Sequence, residues 1–360
     1  MSPLHDIIAD EIRRLGPISI ARFMELCLYH PDHGYYETDG RAIGRSGDFF
    51  TSVSVGSLFG ELLGWRFAQW LRENPSEPCQ IVEAGAHDGQ LALDLLGFLE
   101  KSRPDVFERL EFLIIEPSES RRSRQRERLA SYAKTLRWTT GWNETGAPEI
   151  NGVIYSNELL DAFPIDQFGW DKPGQTWFRF GVDLSNNGFT RTRMHTTEFQ
   201  PEAPPELLAA LPDGFTVERA NAATNWWRQA ANALNSGRLL AIDYGFAEPE
   251  PFSPARPQGT LRAYRDHQLS DKIFNHVGEQ DLTSHVSFPA FIEAGQSCGL
   301  IASSRPVVSQ SKFLIETLSL IQKEPASFPN WTPKRLRQFQ TLTHPDHLGE
   351  KFKVLIQRRE

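Results

Sequence analysis

A glycine turn that follows a short apolar segment carries residues suited to binding a nucleoside cofactor. The segment QIVEAGAHDGQLALDLLGFLE, residues 80–100, begins as a strand, turns between Gly85 and Gly89, and continues as a helix with leucines on one face. A second apolar strand, 110–115, is followed by Glu116. Glycines let the backbone approach a ligand, the first peptides of a helix offer unpaired N–H groups, and a carboxylate at the next strand tip accepts two ribose hydroxyls. The layout therefore predicts a nucleoside-cofactor site.

The spacing of the glycines distinguishes between kinds of cofactor. A dinucleotide site reads G-x-G-x-x-G and holds a pyrophosphate at the helix N-terminus, and the carboxylate of Asp88 would repel that group. An S-adenosyl-L-methionine (SAM) site binds no phosphate, and its usual turn reads Glu/Asp-x-Gly-x-Gly-x-Gly. Glu83, Gly85 and Gly89 match this turn, whereas His87 stands at the position of the middle glycine. An ordinary turn between a strand and a helix is the alternative interpretation of this segment taken by itself.

The side chain of His87 raises a question about the backbone of the turn. If the turn needs positive φ at this position, histidine costs about 1 kcal/mol in strain. Natural sequences rarely keep uncompensated strain, so we expect that the backbone has adjusted around His87 instead.

Other segments combine polar residues with turn-forming ones, and each also has a structural interpretation as a surface loop, a helix cap or an ion pair. They are GRSGDFFTS at 44–52, YSNELLDAFP at 155–164, AIDYGF at 241–246 and the long polar segment at 259–288. Asn157 and Glu158 follow a predicted strand, so they should emerge at the carboxyl edge of the sheet, where doubly wound folds bind ligands. Glu279 and Asp281 are placed to face a cationic substrate.

Composition and charge exclude several classes of protein. The net charge of −8 argues against a broad nucleic-acid interface, and the basic run at 121–128 is interpreted as a solvated helix face. The nine-residue spacings of His267, His276 and His285 fit no compact metal site. The three cysteines are far apart, which predicts neither a disulfide framework nor a metal centre.

The sequence favours a cytoplasmic location. No apolar stretch is long enough to cross a membrane. The first residues contain Asp6, Asp10 and Glu11, whereas a mitochondrial presequence is rich in arginine and poor in acids. Widely separated cysteines suit a reducing compartment.

Alternating apolar strands and helices predict an α/β fold with a mostly parallel sheet and helices on both faces. The strands are placed at 80–84, 110–116, 135–139, 152–156, 238–244, 301–309 and 352–357. Alternating runs around SNNG interrupt this rhythm between residues 165 and 195 and predict an antiparallel insertion. We expect an N-terminal helical extension at 1–78 and a core at 79–360, with inserted substrate elements at about 165–220 and 246–290.

Long motifs in this chain resemble those of the MidA-type SAM-dependent methyltransferases. The motifs, in chain order, are GPISIARFMELCLYHPDHGYY, GDFFTSVSVGSLFGELLG, IVEAGAHDGQL, VIYSNELLDAFPIDQF and GTLRAYRDHQLSD with GEQDLTSHVSF. The resemblance runs from about Pro17 to the GEKFKVLIQ segment near the end of the chain. It implies a class I, Rossmann-like methyltransferase fold of seven strands. A eukaryotic relative in this family is a mitochondrial complex I assembly factor that methylates an arginine.

The resemblance also implies roles for individual residues. The family's cofactor turn, ribose acid, GDF stretch and Asn-Glu-x-x-Asp stretch assign cofactor binding to Gly47, Asp48, Glu83, Gly85, Gly89, Glu116 and Asn157. The carboxylates expected to act on the acceptor are Glu158, Asp161, Glu279 and Asp281. The family turn usually reads Glu-Leu-Gly-Pro-Gly-Arg-Gly, so His87 and Asp88 depart from it.

Together these observations predict an enzyme that uses SAM to methylate a protein nitrogen, with arginine as the acceptor implied by the resemblance. The partner is then a protein substrate, and the family points to a respiratory-complex subunit. One alternative is a non-catalytic assembly factor that keeps SAM binding. A second alternative is a nicotinamide-dependent oxidoreductase. The absence of a G-x-G-x-x-G pattern from the glycine turn counts against it.

Overall fold

A computed structural model describes residues 2–38, 51–73, 78–142, 150–186, 188–196, 199–248, 251–265 and 268–360. The chain forms two compact units, each assembled from three separate segments. The core unit consists of Ala42–Leu160, Thr224–Glu248 and Val286–Glu360. The accessory unit consists of Met1–Arg41, Asp161–Ala223 and Pro249–His285.

The helices and strands are numbered along the chain. The helices are α1 (Pro3–Leu15), α2 (Ile20–Tyr29), α3 (Leu58–Glu73), α4 (Gln90–Ser102), α5 (Pro104–Phe107), α6 (Glu119–Arg128), α7 (Pro205–Ala210), α8 (Asn221–Ala233), α9 (Phe288–Ser297), α10 (Gln310–Ile321) and α11 (Pro333–Thr343). The strands are β1 (Ile18–Ser19), β2 (Cys79–Ala84), β3 (Leu110–Ile115), β4 (Leu136–Thr139), β5 (Ile150–Asn157), β6 (Asp166–Asp171), β7 (Thr176–Ser185), β8 (Gly188–Met194), β9 (Thr216–Arg219), β10 (Leu234–Phe246), β11 (Arg262–Arg265), β12 (Gln268–Ser270), β13 (Asp281–Thr283), β14 (Val286–Ser287), β15 (Ile301–Ser309) and β16 (Phe352–Arg359).

The core unit is built on a twisted sheet in the order β15-β16-β10-β5-β2-β3-β4, and the short β14 pairs with β10. Strands β10, β5, β2, β3 and β4 run parallel, while β16 is antiparallel to both of its neighbours. Consecutive residues Val153, Ile154 and Tyr155 are all buried, which requires cover on both faces of the sheet. The predicted fold class and all seven predicted strands of this sheet are confirmed.

The accessory unit contains a sheet in the order β1-β7-β6-β9, with β8 on β7, and a small sheet in the order β12-β11-β13. The pairs in these sheets are antiparallel. Ser185 pairs with Gly188 at the end of the β7–β8 hairpin, where SNNG predicted a turn. Aromatic and aliphatic side chains of α1 and α2, such as Ile8 and Phe23, pack in one cluster with Phe180 and Val182 of β7.

The accessory unit includes all of the segment predicted as an insertion at 165–220 and most of that at 246–290. The predicted domain boundaries themselves stay a prediction. None of the helices in the described part of the chain is both long and apolar enough to span a membrane.

Candidate functional site

The glycine turn lies between the carboxyl end of β2 and the first turn of α4. Gly85 and Gly89 adopt φ of 71° and 83°, a conformation that favours glycine. A Cβ atom on Gly85 would lie 2.8 Å from Cδ1 of Leu159, so a side chain there would displace the Leu159 side chain. Glycine at both ends of the turn is therefore a requirement of its backbone, and such a turn exposes peptide groups to a ligand.

His87 keeps a left-handed backbone, with φ of 49°. The expectation that the turn had adjusted to avoid positive φ is wrong. The carbonyl oxygen of His87 accepts a hydrogen bond of 2.8 Å from Nε2 of Gln125, which helps to hold the strained conformation. The imidazole is partly exposed, and its Nδ1 lies 3.6 Å from Oδ1 of Asp88.

Asp88 occupies the N-terminal end of α4. Its Oδ1 accepts a hydrogen bond of 3.1 Å from the amide of Gln90, and its Oδ2 lies 3.1 Å from a guanidinium nitrogen of Arg128. Burial raises the pKa of Asp88, but the hydrogen bond and charge of His87, the charge of Arg128 and the Gln90 amide outweigh burial and lower it. A carboxylate held at a helix N-terminus takes the place in which a dinucleotide would put its pyrophosphate.

Glu116 lies at the carboxyl end of β3, and its side chain is buried. Oε1 accepts a hydrogen bond of 3.1 Å from the amide of Ser118, and Oε2 accepts one of 3.2 Å from Nε2 of Gln125. Gln125 is itself fully buried, and its Oε1 accepts a hydrogen bond of 3.0 Å from the indole nitrogen of Trp138. Gln125 is not among the predicted site residues. The available signal was a glutamine within the arginine-rich run of α6.

Glu83 is buried beneath the turn, near the end of β2. Burial raises the pKa of Glu83 to about 8. Its register partner on the neighbouring strand β5 is Tyr155. Oε2 of Glu83 accepts no hydrogen bond from any residue that the structure describes. A buried acceptor without a donor costs free energy, which a bound cationic group would recover.

Asn157 and Glu158 lie where β5 ends. Nδ2 of Asn157 donates a hydrogen bond of 3.1 Å to Oε1 of Glu158, and the backbone amide of Ser52 also donates to this carboxylate. Burial raises the pKa of Glu158 to about 8, with a further contribution from the negative charge of Asp243. Glu158 also has positive φ, 53°. Ser52 and Asp243 were not among the predicted site residues, although both lie in segments that the sequence analysis selected.

The other predicted carboxylates belong to the accessory unit. Asp161 and Asp281 are buried, and both oxygens of Asp281 accept hydrogen bonds of 2.9 Å from the hydroxyl of Tyr36. Burial raises the pKa of Tyr36, and the charges of Asp281 and Asp161 raise it further, so the two acids share one environment. Glu279 is more exposed and lies 3.6 Å from Nη1 of Arg265. Gly47 and Asp48 lie outside the described residues.

A doubly wound sheet with this turn, a strand-tip acid and a carboxylate at the start of α4 is typical of a SAM-dependent methyltransferase. A family model described as "Putative S-adenosyl-L-methionine-dependent methyltransferase" matches residues 62–305, and the chain belongs to this family. Gly85, Gly89 and Glu116 fit the nucleoside part of the cofactor, and Glu83 fits a cationic part. The nicotinamide alternative is therefore excluded.

Named relatives match most of the chain. The Drosophila melanogaster "Protein arginine methyltransferase NDUFAF7 homolog, mitochondrial" is 25% identical over 98% of this chain and 84% of its own length. The Caenorhabditis elegans homolog of the same name is 29% identical over 79% of this chain and 70% of its own length. A crystal structure from Burkholderia thailandensis, bound to S-adenosyl-homocysteine, is 30% identical with a TM-score of 0.82 and covers 99% of this chain and 92% of that chain.

These relatives overturn one prediction. The sequence analysis favoured a cytoplasmic location, whereas the eukaryotic relatives are named as mitochondrial proteins. The prediction used the acidic residues near the start of the chain and the spacing of the cysteines. Asp6, Asp10 and Glu11 belong to α1, a helix of the accessory unit, so their acidity reflects the folded protein and carries no information about its location.

We predict that Glu116→Ala weakens the binding of S-adenosyl-homocysteine by about 1–3 kcal/mol, because hydrogen bonds to a charged acceptor are lost. Isothermal titration calorimetry measures the change. Glu119→Ala is the matched control. Glu119 is an exposed acid at the start of α6, close to Glu116 in the sequence, and it pairs with Arg122 and Arg126. Equal affinities for the Glu116 variant and the wild type would remove Glu116 from the site.

His87→Gly should raise the free energy of unfolding by up to about 1 kcal/mol, because glycine adopts positive φ without strain. Chemical denaturation of the two proteins without cofactor gives the comparison. His87→Ala serves as the control, since it removes the imidazole but keeps the Cβ atom and therefore the strain. A loss of stability in the glycine variant alone would contradict this account.

The raised pKa of Glu83 predicts a pH-dependent stability. Because the folded protein holds this proton more tightly than the unfolded chain, the stabilisation is complete below pH 4.5 and is lost as the pH rises towards about 8. Glu83→Gln removes this titration, so the wild type should lose on the order of 3 kcal/mol relative to the variant between pH 5 and 8. Thermal melts across this range measure the difference, and parallel curves would show that Glu83 ionises at an ordinary pKa.

Proposed function

We propose that this protein methylates an arginine side chain of a protein substrate and that Glu158 accepts the proton that the guanidinium loses. The observation that carries the proposal is the Glu158 carboxylate, which lies at the end of β5 in the core unit and has its pKa raised to about 8 by burial. The names of the relatives support arginine as the acceptor. The family resemblance extends the proposal to a substrate that enters a respiratory complex.

Methyl transfer to arginine places two demands on the protein. SAM supplies the methyl group when it is bound. The attacking nitrogen must be aligned with that group, and well-oriented reactants gain roughly 7–11 kcal/mol over free ones. The guanidinium is also protonated at neutral pH and must give up a proton as it attacks.

Glu158 suits the second demand. A general base works best when its pKa lies near the operating pH, and burial has brought the pKa of Glu158 to about 8. An approaching guanidinium favours the charged form of the carboxylate and lowers this pKa, so binding of the acceptor would itself ionise the base. Asn157 and the Ser52 amide hold the carboxylate through hydrogen bonds to the charged form.

Asp161 and Asp281, both in the accessory unit, stay predictions as residues that bind a cation. Two buried carboxylates in one environment repel each other, and a cation between them relieves that repulsion. The aromatic rings of Tyr29 and Tyr36, stacked with centroids 5.6 Å apart, lie in the same cluster, and aromatic faces attract guanidinium groups. Glu279 stays a prediction, because its ion pair with Arg265 also explains its presence.

The proposal is tested by comparing methylarginines in cells that lack this protein with cells that carry either the wild type or Glu158→Gln. Mass spectrometry should show arginine sites that disappear on deletion, return with the wild type and stay unmethylated with the variant. Glu158→Gln should bind SAM within a few-fold of the wild type, because the substitution keeps shape and removes only the base. If deletion changes no arginine site, the proposed substrate class is wrong, and if the variant restores methylation, Glu158 is not the base.

A further inference from the structure

Glu158 is held in a conformation that its own residue type disfavours. A non-glycine residue with φ of 53° costs about 1 kcal/mol or more, and such strain persists only where the surroundings over-determine it. The amide of Glu158 donates a hydrogen bond of 2.9 Å to the carbonyl of Ile242 on β10. This bond continues the parallel pairing of β5 with β10 by one residue, since Asn157 is the register partner of Ile242.

Asp243 fixes the backbone on the other side of Glu158. Its Oδ2 accepts hydrogen bonds from the amides of Leu159, at 3.2 Å, and Leu160, at 2.8 Å. Its Oδ1 accepts one of 2.8 Å from the amide of Tyr244. The Asp243 side chain is fully buried, so these bonds to a charged acceptor are strong and expensive to lose.

The two sets of bonds bracket one residue. On β10, the carbonyl oxygen of Ile242 accepts a hydrogen bond from the amide of Glu158. The carboxylate of the next residue, Asp243, accepts hydrogen bonds from the amides of the two residues that follow Glu158. The chain must therefore turn at Glu158 itself, and the turn directs its carboxylate to Asn157 and to the amide of Ser52.

We infer that Asp243 is a positioning residue for methyl transfer, which holds the left-handed turn at Glu158 and thereby places the Glu158 carboxylate. The inference rests on the proposed role of Glu158 as the base. Among the described residues, Asp243 is also the side chain whose charge raises the pKa of Glu158. The groups that donate hydrogen bonds to the Glu158 carboxylate, Asn157 and the Ser52 amide, are neutral.

The test compares Asp243→Asn, Asp243→Glu and a control, Val354→Ala. Val354 is buried on β16 opposite Ile242, so its truncation weakens the same part of the sheet without touching the turn. Transfer is measured from tritium-labelled SAM into a protein extract of cells lacking this protein, at temperatures where each variant is folded. Both Asp243 variants should transfer methyl groups about 10- to 100-fold more slowly, because a shift of about 1 Å in a reacting group has effects of this size. Val354→Ala should keep the wild-type rate.

A second measurement does not depend on activity. The carboxyl carbon of Glu158, assigned by comparison with Glu158→Gln, is titrated by NMR in the protein without cofactor. Asp243→Asn removes a negative charge and should lower the pKa of Glu158, whereas Asp243→Glu and Val354→Ala should leave it near about 8.

The outcomes separate the inference from the proposed function. Wild-type rates in both Asp243 variants, or a slowing that Val354→Ala reproduces, would overturn the inference while leaving Glu158 as the base. An unchanged rate in Glu158→Gln would overturn the proposed role of Glu158 instead. If Asp243→Asn does not fold, the rate of Asp243→Glu relative to Val354→Ala decides the question.

Discussion

The site depends on the parallel pairing of β5 with β2 on one side and β10 on the other. This pairing sets Glu83 against Tyr155 and Ile242 against Asn157, so the polar ends of three strands reach the same edge of the sheet. A shift by one residue would turn every side chain to the opposite face. The consecutive buried residues of these strands prevent such a shift. The packing of the core therefore also fixes the position of the polar residues at the strand ends.

Much of this arrangement is visible in the sequence. Apolar runs bounded by turn residues located each strand of the core sheet, because a strand covered on both faces must be apolar throughout. The glycine turn could also be predicted from the sequence, because Gly85 and Gly89 meet a local requirement of the backbone for positive φ. The acid that follows β3 could be predicted from its position directly after an apolar run. Local patterns of this kind are encoded within a few residues and can be interpreted without knowing the rest of the fold.

The parts that could not be predicted depend on contacts between distant segments. Gln125 meets Glu116 and the His87 carbonyl only when α6 packs beside the turn. Asp243 meets the amides after Glu158 across more than eighty residues of chain. The prediction for the backbone at His87 is wrong for the same reason, because a hydrogen bond from the distant Gln125 side chain supports a conformation that the residue alone disfavours. The burial that raises the pKa of Glu83 and Glu158 is likewise a property of the assembled sheet.

The division of the accessory unit among three chain segments has a consequence during protein synthesis. The apolar faces of α1 and α2, with residues such as Leu4, Ile8 and Phe23, pack against β7 and residues of the third segment. At about 5–20 residues per second, the ribosome needs roughly ten seconds to proceed from the first segment to the second. During that interval the helices are made but their partners are not, and exposed apolar surface of this kind is prone to aggregation. The apolar faces of the N-terminal helices therefore stay without their native packing partners until β7 has been synthesised.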